Sequence, residues 1–217
     1  MKLAVVCAGG PKEEVVNLTK FPVEETVFIG ADRGALHLLM EGIVPQEAVG
    51  DFDSVSKEEY AKIQSAVKIM DEFLTEKNET DTELAVERAL SYQPEQVVLT
   101  GVTGGRLDHM AAALQLLYRL QMDHPQISFK ICNRQNELTI LQPAEHQIIY
   151  NESLPYVSFF AFEGTVRGLT LSGFKYETID ETLELGMTRF TSNELATSVS
   201  TISFLEGICL MVRSSDA

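Results

Sequence analysis

Through residues 1–135, short apolar, β-branched runs alternate with stretches in which apolar positions recur every three or four residues. Lys2–Cys7, Thr26–Gly30, Ala48–Gly50, Val67–Met70, Val97–Thr100 and Ile127–Cys132 read as strands. Ala35–Met40 (closed by Gly42), Lys57–Ser65, Asp81–Ser91 and Leu107–Met122 read as helices between them. Ser56 with Glu59, and Thr80 with Glu83, have the spacing of a capping box and fix two helix starts. In the longest helix the positions Leu107, Ala111, Leu114 and Tyr118 predict one buried stripe. Alternation of this kind predicts an open, mainly parallel sheet with helices on both faces.

From residue 138 the grammar changes. Glu145–Asn151, Tyr156–Phe162, Val166–Leu171, Lys175–Ile179, Leu195–Phe204 and Ile208–Val212 are strand-like, with Gly164, Gly168, Gly173, Gly186 and Gly207 as turns. Leu205-Glu206-Gly207 reads as a tight hairpin. Helical spacing is lacking here. The expectation is therefore an α/β domain over 1–135 and a small antiparallel all-β sandwich or half-barrel over 138–217.

Composition narrows the function. The 217 residues carry 17 Lys and Arg against 32 Asp and Glu, a formal net charge of −15. So acidic a chain repels phosphate backbones and anionic bilayers, which excludes nucleic acid as an expected partner and gives no reason to expect a membrane. There is no run of eighteen apolar residues, and the N-terminal apolar stretch runs at once into Gly9-Gly10, so a strand rather than a leader is expected, and a cytoplasmic protein with it. Cys7, Cys132 and Cys209 are scattered through apolar segments and offer no zinc spacing; buried thiols are expected. A polyanionic ligand such as ATP would need metal ions to offset both its own charge and that of the chain.

In an open parallel sheet, ligands bind beyond the carboxyl ends of the strands. The segments at those ends are Gly9-Gly10, Ala31-Asp32-Arg33-Gly34, Gly50-Asp51-Phe52-Asp53-Ser54, Thr80-Asp81-Thr82 at a helix start, and Gly101-Val102-Thr103-Gly104-Gly105-Arg106-Leu107-Asp108-His109. In an extended segment Asp51 and Asp53 point to the same side, and two carboxylates so placed suit Mg²⁺, a hard cation that adds substrate phosphates to its ligands. Gly101, Gly104 and Gly105 lead into a helix whose N–H groups suit a phosphate, with Arg106 placed for a bidentate contact. Asp108 either orients Arg106 or binds ligand. Lys77 is a phosphate partner or a solvated lysine, and the residues do not separate the two. In the β-rich part, Ser192-Asn193 reads as an ordinary loop, and Tyr176 and Phe174 beside Gly173 as either core or an aromatic face for a flat ligand.

These blocks, in this order and joined to an α/β-then-β layout, resemble the thiamin pyrophosphokinase family in its compact bacterial form. The resemblance spans nearly the whole chain: Ala31-Asp32-Arg33-Gly34, Gly50-Asp51-Phe52-Asp53-Ser54, Lys77 with Thr80-Asp81-Thr82, Gly101 with Gly104-Gly105-Arg106-Leu107-Asp108-His109, and Ser192-Asn193-Glu194. It implies transfer of a pyrophosphoryl group from ATP to thiamin, giving thiamin diphosphate and AMP. It further implies that Asp51, Asp53 and Asp81 hold Mg²⁺, and that these three with Asp108 form the catalytic set. Asp32, Lys77, Thr80, Gly101, Gly104, Gly105 and Arg106 would contact ATP. Asp108, Ser192, Asn193 and Tyr176 would contact thiamin, Tyr176 standing where family members often carry tryptophan, and the site would be shared across a homodimer. Two other classes account for fewer of these blocks. A metal-dependent nucleotide-sugar glycosyltransferase would use Asp51-Phe52-Asp53 but leave the Gly104-Gly105-Arg106 helix start idle, and a non-catalytic nucleotide-sensing module would not need so many carboxylates.

Overall fold

The computed structural model describes residues 3–72 and 79–216, and divides into two compact units, Met1–Arg134 and Gln135–Ala217. In the first unit the strands are β1 (Leu3–Cys7), β2 (Thr26–Ala31), β3 (Glu47–Gly50), β4 (Ile69–Glu72), β5 (Gln96–Thr100) and β6 (Ser128–Cys132). The helices are α1 (Arg33–Met40), α2 (Lys57–Ala66), α3 (Asp81–Ser91) and α4 (Leu107–Asp123). The strands run β4-β3-β2-β1-β5-β6, every pair parallel. The order reverses between β1 and β5, the switch point at which such sheets place their ligands. One layer of core packs Val5, Cys7, Phe28 and Val98 under Val15, Val16 and Leu18 from the β1–β2 crossover, which contains three single 3₁₀ turns. Another sets Ala35 and Ala48 against Phe52, Ile63 and Val67.

Both expected helix starts form, with a difference. Ser56 and Glu59 make a complete capping box on α2. Thr80 accepts the Glu83 N–H at 3.3 Å, but the Glu83 carboxylate is taken by Arg119 and closes no box. The stripe expected on α4 is on the wrong side. Ala113, Leu116, Leu117 and Leu120 are buried, whereas Leu107 is 81 % exposed and Ala111 is exposed too. This helix is apolar on more than one flank, so spacing alone does not say which flank meets the sheet.

The second unit holds β7 (Asn136–Leu141), β8 (Glu145–Ile149), β9 (Tyr156–Ser172), β10 (Thr178–Leu183), β11 (Asn193–Glu194), β12 (Val199–Ser203) and β13 (Glu206–Ser214). Its strands run β7-β13-β9-β12-β8, all antiparallel, with β10 and β11 also paired to β9. Phe159, Leu169, Leu171, Leu183 and Ile202 fill its core. Tyr156–Phe162 and Val166–Leu171, expected as two strands, are one. Gly164 and Gly168, both at positive φ, lie where the register of β9 shifts against β13 and against β10, and do not turn the chain. Of the expected strand Leu195–Phe204 only β12 forms, Leu195 making an isolated bridge to Phe174, while β11 precedes that segment. The expected hairpin at Leu205-Glu206-Gly207 is a crossing: β12 and β13 lie on opposite sides of β9, and the Leu205 N–H bonds Arg167 O at 2.9 Å as the chain passes over.

Candidate active site

At the carboxyl ends of β2 and β3 the chain is forced into unusual backbone. Asp32 has φ 48° and Phe52 φ 56°, a conformation costly for residues with a Cβ. Asp32 is fixed there because its N–H bonds Val49 O at 2.9 Å and its Oδ1 accepts the Phe52 N–H at 3.0 Å. Gly50, at φ 148°, leaves the room: a Cβ there would lie 2.0 Å from Asp32 Oδ1. Arg33 donates to Ser54 O at 3.2 and 2.8 Å and to Glu59 at 3.2 Å, tying the Asp51–Ser54 turn to α2.

The result is a group of three carboxylates. Asp32, Asp51 and Asp81 each offer an oxygen, all within 4.8 Å of one another. Burial and then the Asp81 carboxylate, with Asp51 adding to them, push Asp32 up to about 7 from an ordinary 3.8. Carboxylates held so close suit a shared cation, whose charge would relieve their mutual repulsion. Oxygens sharing one Mg²⁺ at about 2.1 Å stand at most about 4.2 Å apart, so the group fits that ion after a small contraction.

The route to this group differs from the expectation. Asp51-Phe52-Asp53 is not extended, because the positive φ of Phe52 turns the chain and sends the ring into the core. The same-side argument for Asp51 and Asp53 therefore does not apply. Asp53 stands at the exposed edge, its N–H bonded to Asp51 Oδ1 at 3.1 Å and its carboxyl held above its ordinary value chiefly by the Asp51 charge. Asp32 completes the trio, and Thr80 caps the helix that Asp81 opens.

Gly101, Gly104 and Gly105 lie in the β5–α4 loop, with Gly10 N–H bonded to Gly101 O at 2.8 Å across the switch point. Arg106 and Asp108 form an exposed bidentate pair, 3.1 and 2.6 Å, whose hydrogen bonds lower the Asp108 carboxyl to about 2. So exposed a pair contributes little to stability and leaves the guanidinium available to an incoming phosphate. Lys77 lies outside the described residues. A cleft of about 430 Å³ between Lys12, Val16, His37 and Arg134 shares no residue with the carboxylate group.

In the second unit, Phe174 is core and Tyr176 is 62 % exposed. Tyr176 lines a cleft of about 260 Å³ with Glu177, Thr178, Arg189, Phe190, Thr191 and Asn193. Arg189 and Phe190 belong to no motif in the sequence; their place shortly before Ser192-Asn193 is the one local signal for them. Ser192 is exposed, at φ 56°, its N–H bonded to Ser158 Oγ at 2.9 Å. Asn193 is buried, and its carboxamide is spent on backbone.

Residues 19–129 match the family model described as thiamin pyrophosphokinase, catalytic domain, and residues 145–209 match thiamin pyrophosphokinase, vitamin B1 binding domain. The chain belongs to the thiamin pyrophosphokinase family. It is 40 % identical over 216 residues to a thiamine pyrophosphokinase of Bacillus subtilis, covering all of both chains. A crystal structure of thiamine pyrophosphokinase from that organism superposes with a TM-score of 0.93 at 39 % identity, with complete coverage of both chains. One of thiamin pyrophosphokinase from Geobacillus thermodenitrificans gives 0.90 at 39 % identity, covering 100 % of this chain and 99 % of the other. The enzyme of Candida albicans, at 16 % identity, shares the fold with a TM-score of 0.84 over 99 % of this chain and 89 % of its own. A thiamin pyrophosphokinase family fold thus carries the carboxylate group on its α/β unit and the Tyr176 cleft on its β unit.

Proposed function

We propose that this chain transfers the pyrophosphoryl group of ATP to the hydroxyl of thiamin, with Mg²⁺, giving thiamin diphosphate and AMP. The observation that carries the reading is the convergence of Asp32, Asp51 and Asp81 within 4.8 Å on the unit that matches the family's catalytic domain. Asp32, Asp51 and Asp81, with Asp53 at the edge beside Asp51, would hold the metal, which when bound would offset the charge of the triphosphate. Lys77, Thr80, Gly101, Gly104, Gly105 and Arg106 position ATP. Most of the catalysis is then alignment of the attacking hydroxyl with its phosphorus and neutralisation of charge, with a rim carboxylate taking the hydroxyl proton. Tyr176, Ser192 and Asp108 contact thiamin, whose cationic thiazolium suits both an aromatic face and a carboxylate.

The working form we propose is a cytoplasmic homodimer in which the β unit of one chain completes the site of the other. Exposed apolar side chains support it: Leu107 on α4, and the directly paired Ile149 and Val199 on β8 and β12, at 69 % and 45 % exposure. Incubation with ATP, Mg²⁺ and thiamin tests the activity. Thiamin diphosphate and AMP appearing in equal amounts is the expected outcome, and ADP accumulating with thiamin monophosphate would reject it.

A further inference from the structure

The Tyr176 cleft contains one residue whose chemistry is directed away from any ligand. Asn193 is 4 % exposed. Its Oδ1 accepts the Tyr176 N–H at 3.0 Å and the Glu194 N–H at 2.9 Å, and its Nδ2 donates to Tyr176 O at 2.8 Å. Two donors saturate the carbonyl oxygen, and the amide is engaged by the same residue from the other side.

The segment so held lies between two paired stretches, residues 173–175 and β10, which starts at Thr178. Residues 173–175 pair with 194–196 through Ala196 N–H to Gly173 O and Lys175 N–H to Glu194 O, both 2.8 Å, and the Phe174–Leu195 bridge. Main-chain pairing stops at Lys175. One residue further the Asn193 side chain takes over, gripping both polar groups of the Tyr176 peptide backbone, while the Tyr176 ring projects into solvent. Asn193 is itself anchored in β11, in register with Val157 of β9. The clamp therefore ties an exposed aromatic ring to a central strand. Lys175 Nζ, paired with Glu194 Oε1 at 2.6 Å, lies 5.6 Å from the ring centroid.

We infer that Asn193 is a positioning residue: it fixes the Tyr176 ring against which the flat, cationic substrate stacks, and acts on that substrate through Tyr176 alone. The inference rests on reading the β unit as the thiamin-binding unit. Holding the ring before the substrate arrives removes an ordering cost from binding and leaves the chemical step untouched, so the effect falls on KM and not on kcat.

A double-mutant cycle tests this. Asn193→Ala is expected to raise the KM for thiamin about tenfold, with kcat changed by less than about threefold and the KM for ATP unchanged. Tyr176→Ala is expected to raise the thiamin KM at least as far, and the double variant no further than Tyr176→Ala. Asn193→Asp keeps the acceptor but sets a second oxygen against Tyr176 O, so it should recover nothing; Asn193→Ser, whose hydroxyl still accepts an N–H, replaces Asn193→Ala in the cycle should that variant not fold. Effects of the two substitutions that multiply would show Asn193 touching substrate directly and overturn the inference while leaving the cleft's function standing. A thiamin KM unmoved by Tyr176→Ala would overturn the cleft reading and the inference with it.

Discussion

Replacing Asp32 by Asn should make the metal-free protein more stable while destroying its activity. The carboxyl of Asp32 is raised from 3.8 to about 7, first by burial and then by Asp81. A carboxyl with a raised folded pKa gives stability that is complete below its unfolded value and is lost as pH climbs through the folded one. Above pH 7 the wild type therefore carries the whole penalty, and the neutral amide carries none. At about 1.36 kcal/mol per pKa unit, the shift has a ceiling of about 4 kcal/mol. Partial solvation of the group screens this, and about 2 kcal/mol is the expected gain. The amide oxygen still accepts the Phe52 N–H, so no buried donor is orphaned. Urea unfolding with EDTA at pH 8 and pH 5 reads the effect. The gain at pH 5 should be roughly a third of that at pH 8, since only part of the interval between the two pKa values has been crossed. Adding Mg²⁺ at pH 8 should stabilise the wild type more than the variant. A variant less stable than wild type at pH 8, or a gain equal at both pH values, would mean that the Asp32 carboxyl carries no such penalty.

Asp51→Asn and Asp53→Asn should each retain less than about a tenth of kcat/KM, a loss above ~1.4 kcal/mol, while their melting temperatures do not fall; steady-state assays and thermal melts check both halves. Gly34→Ala should lose more than about 3 kcal/mol in urea unfolding, because its Cβ would stand 1.8 Å from the main-chain Cys7 O inside a packed layer. Mixing an Asp51→Asn chain with a Tyr176→Ala chain should restore up to about a quarter of wild-type activity at low thiamin, since half the dimers are mixed and each carries one intact site. No recovery after demonstrated subunit exchange would rule out the shared site.

The legibility of each residue depends on where its environment is set. The parallel sheet and its rim can be read because strand runs, caps and post-strand glycines are local signals. Asp51 stands out in the sequence for a reason that fails: the turn at Phe52 comes from its positive φ and burial, and Asp32 belongs with the carboxylates because its backbone bonds Val49 on a neighbouring strand. Neither is a property of spacing. The buried flank of α4 is misread from spacing because two apolar stripes compete on one helix, and only the sheet beneath chooses between them. Gly164 and Gly168 look like turn residues in sequence, yet pairing of β9 with β13 and with β10 makes them irregularities in one strand. Resemblance marks Asn193 as a substrate contact, whereas its carboxamide is consumed by Tyr176, a partner 17 residues away.

In the transfer from ATP to thiamin, two phosphorus atoms leave the nucleotide together. ATP labelled at the β-phosphorus, incubated with the protein, Mg²⁺ and thiamin, tests it most directly. All transferred label is expected in thiamin diphosphate, with unlabelled AMP as the only nucleotide product. Label retained in ADP, with thiamin carrying a single unlabelled phosphate, would contradict it.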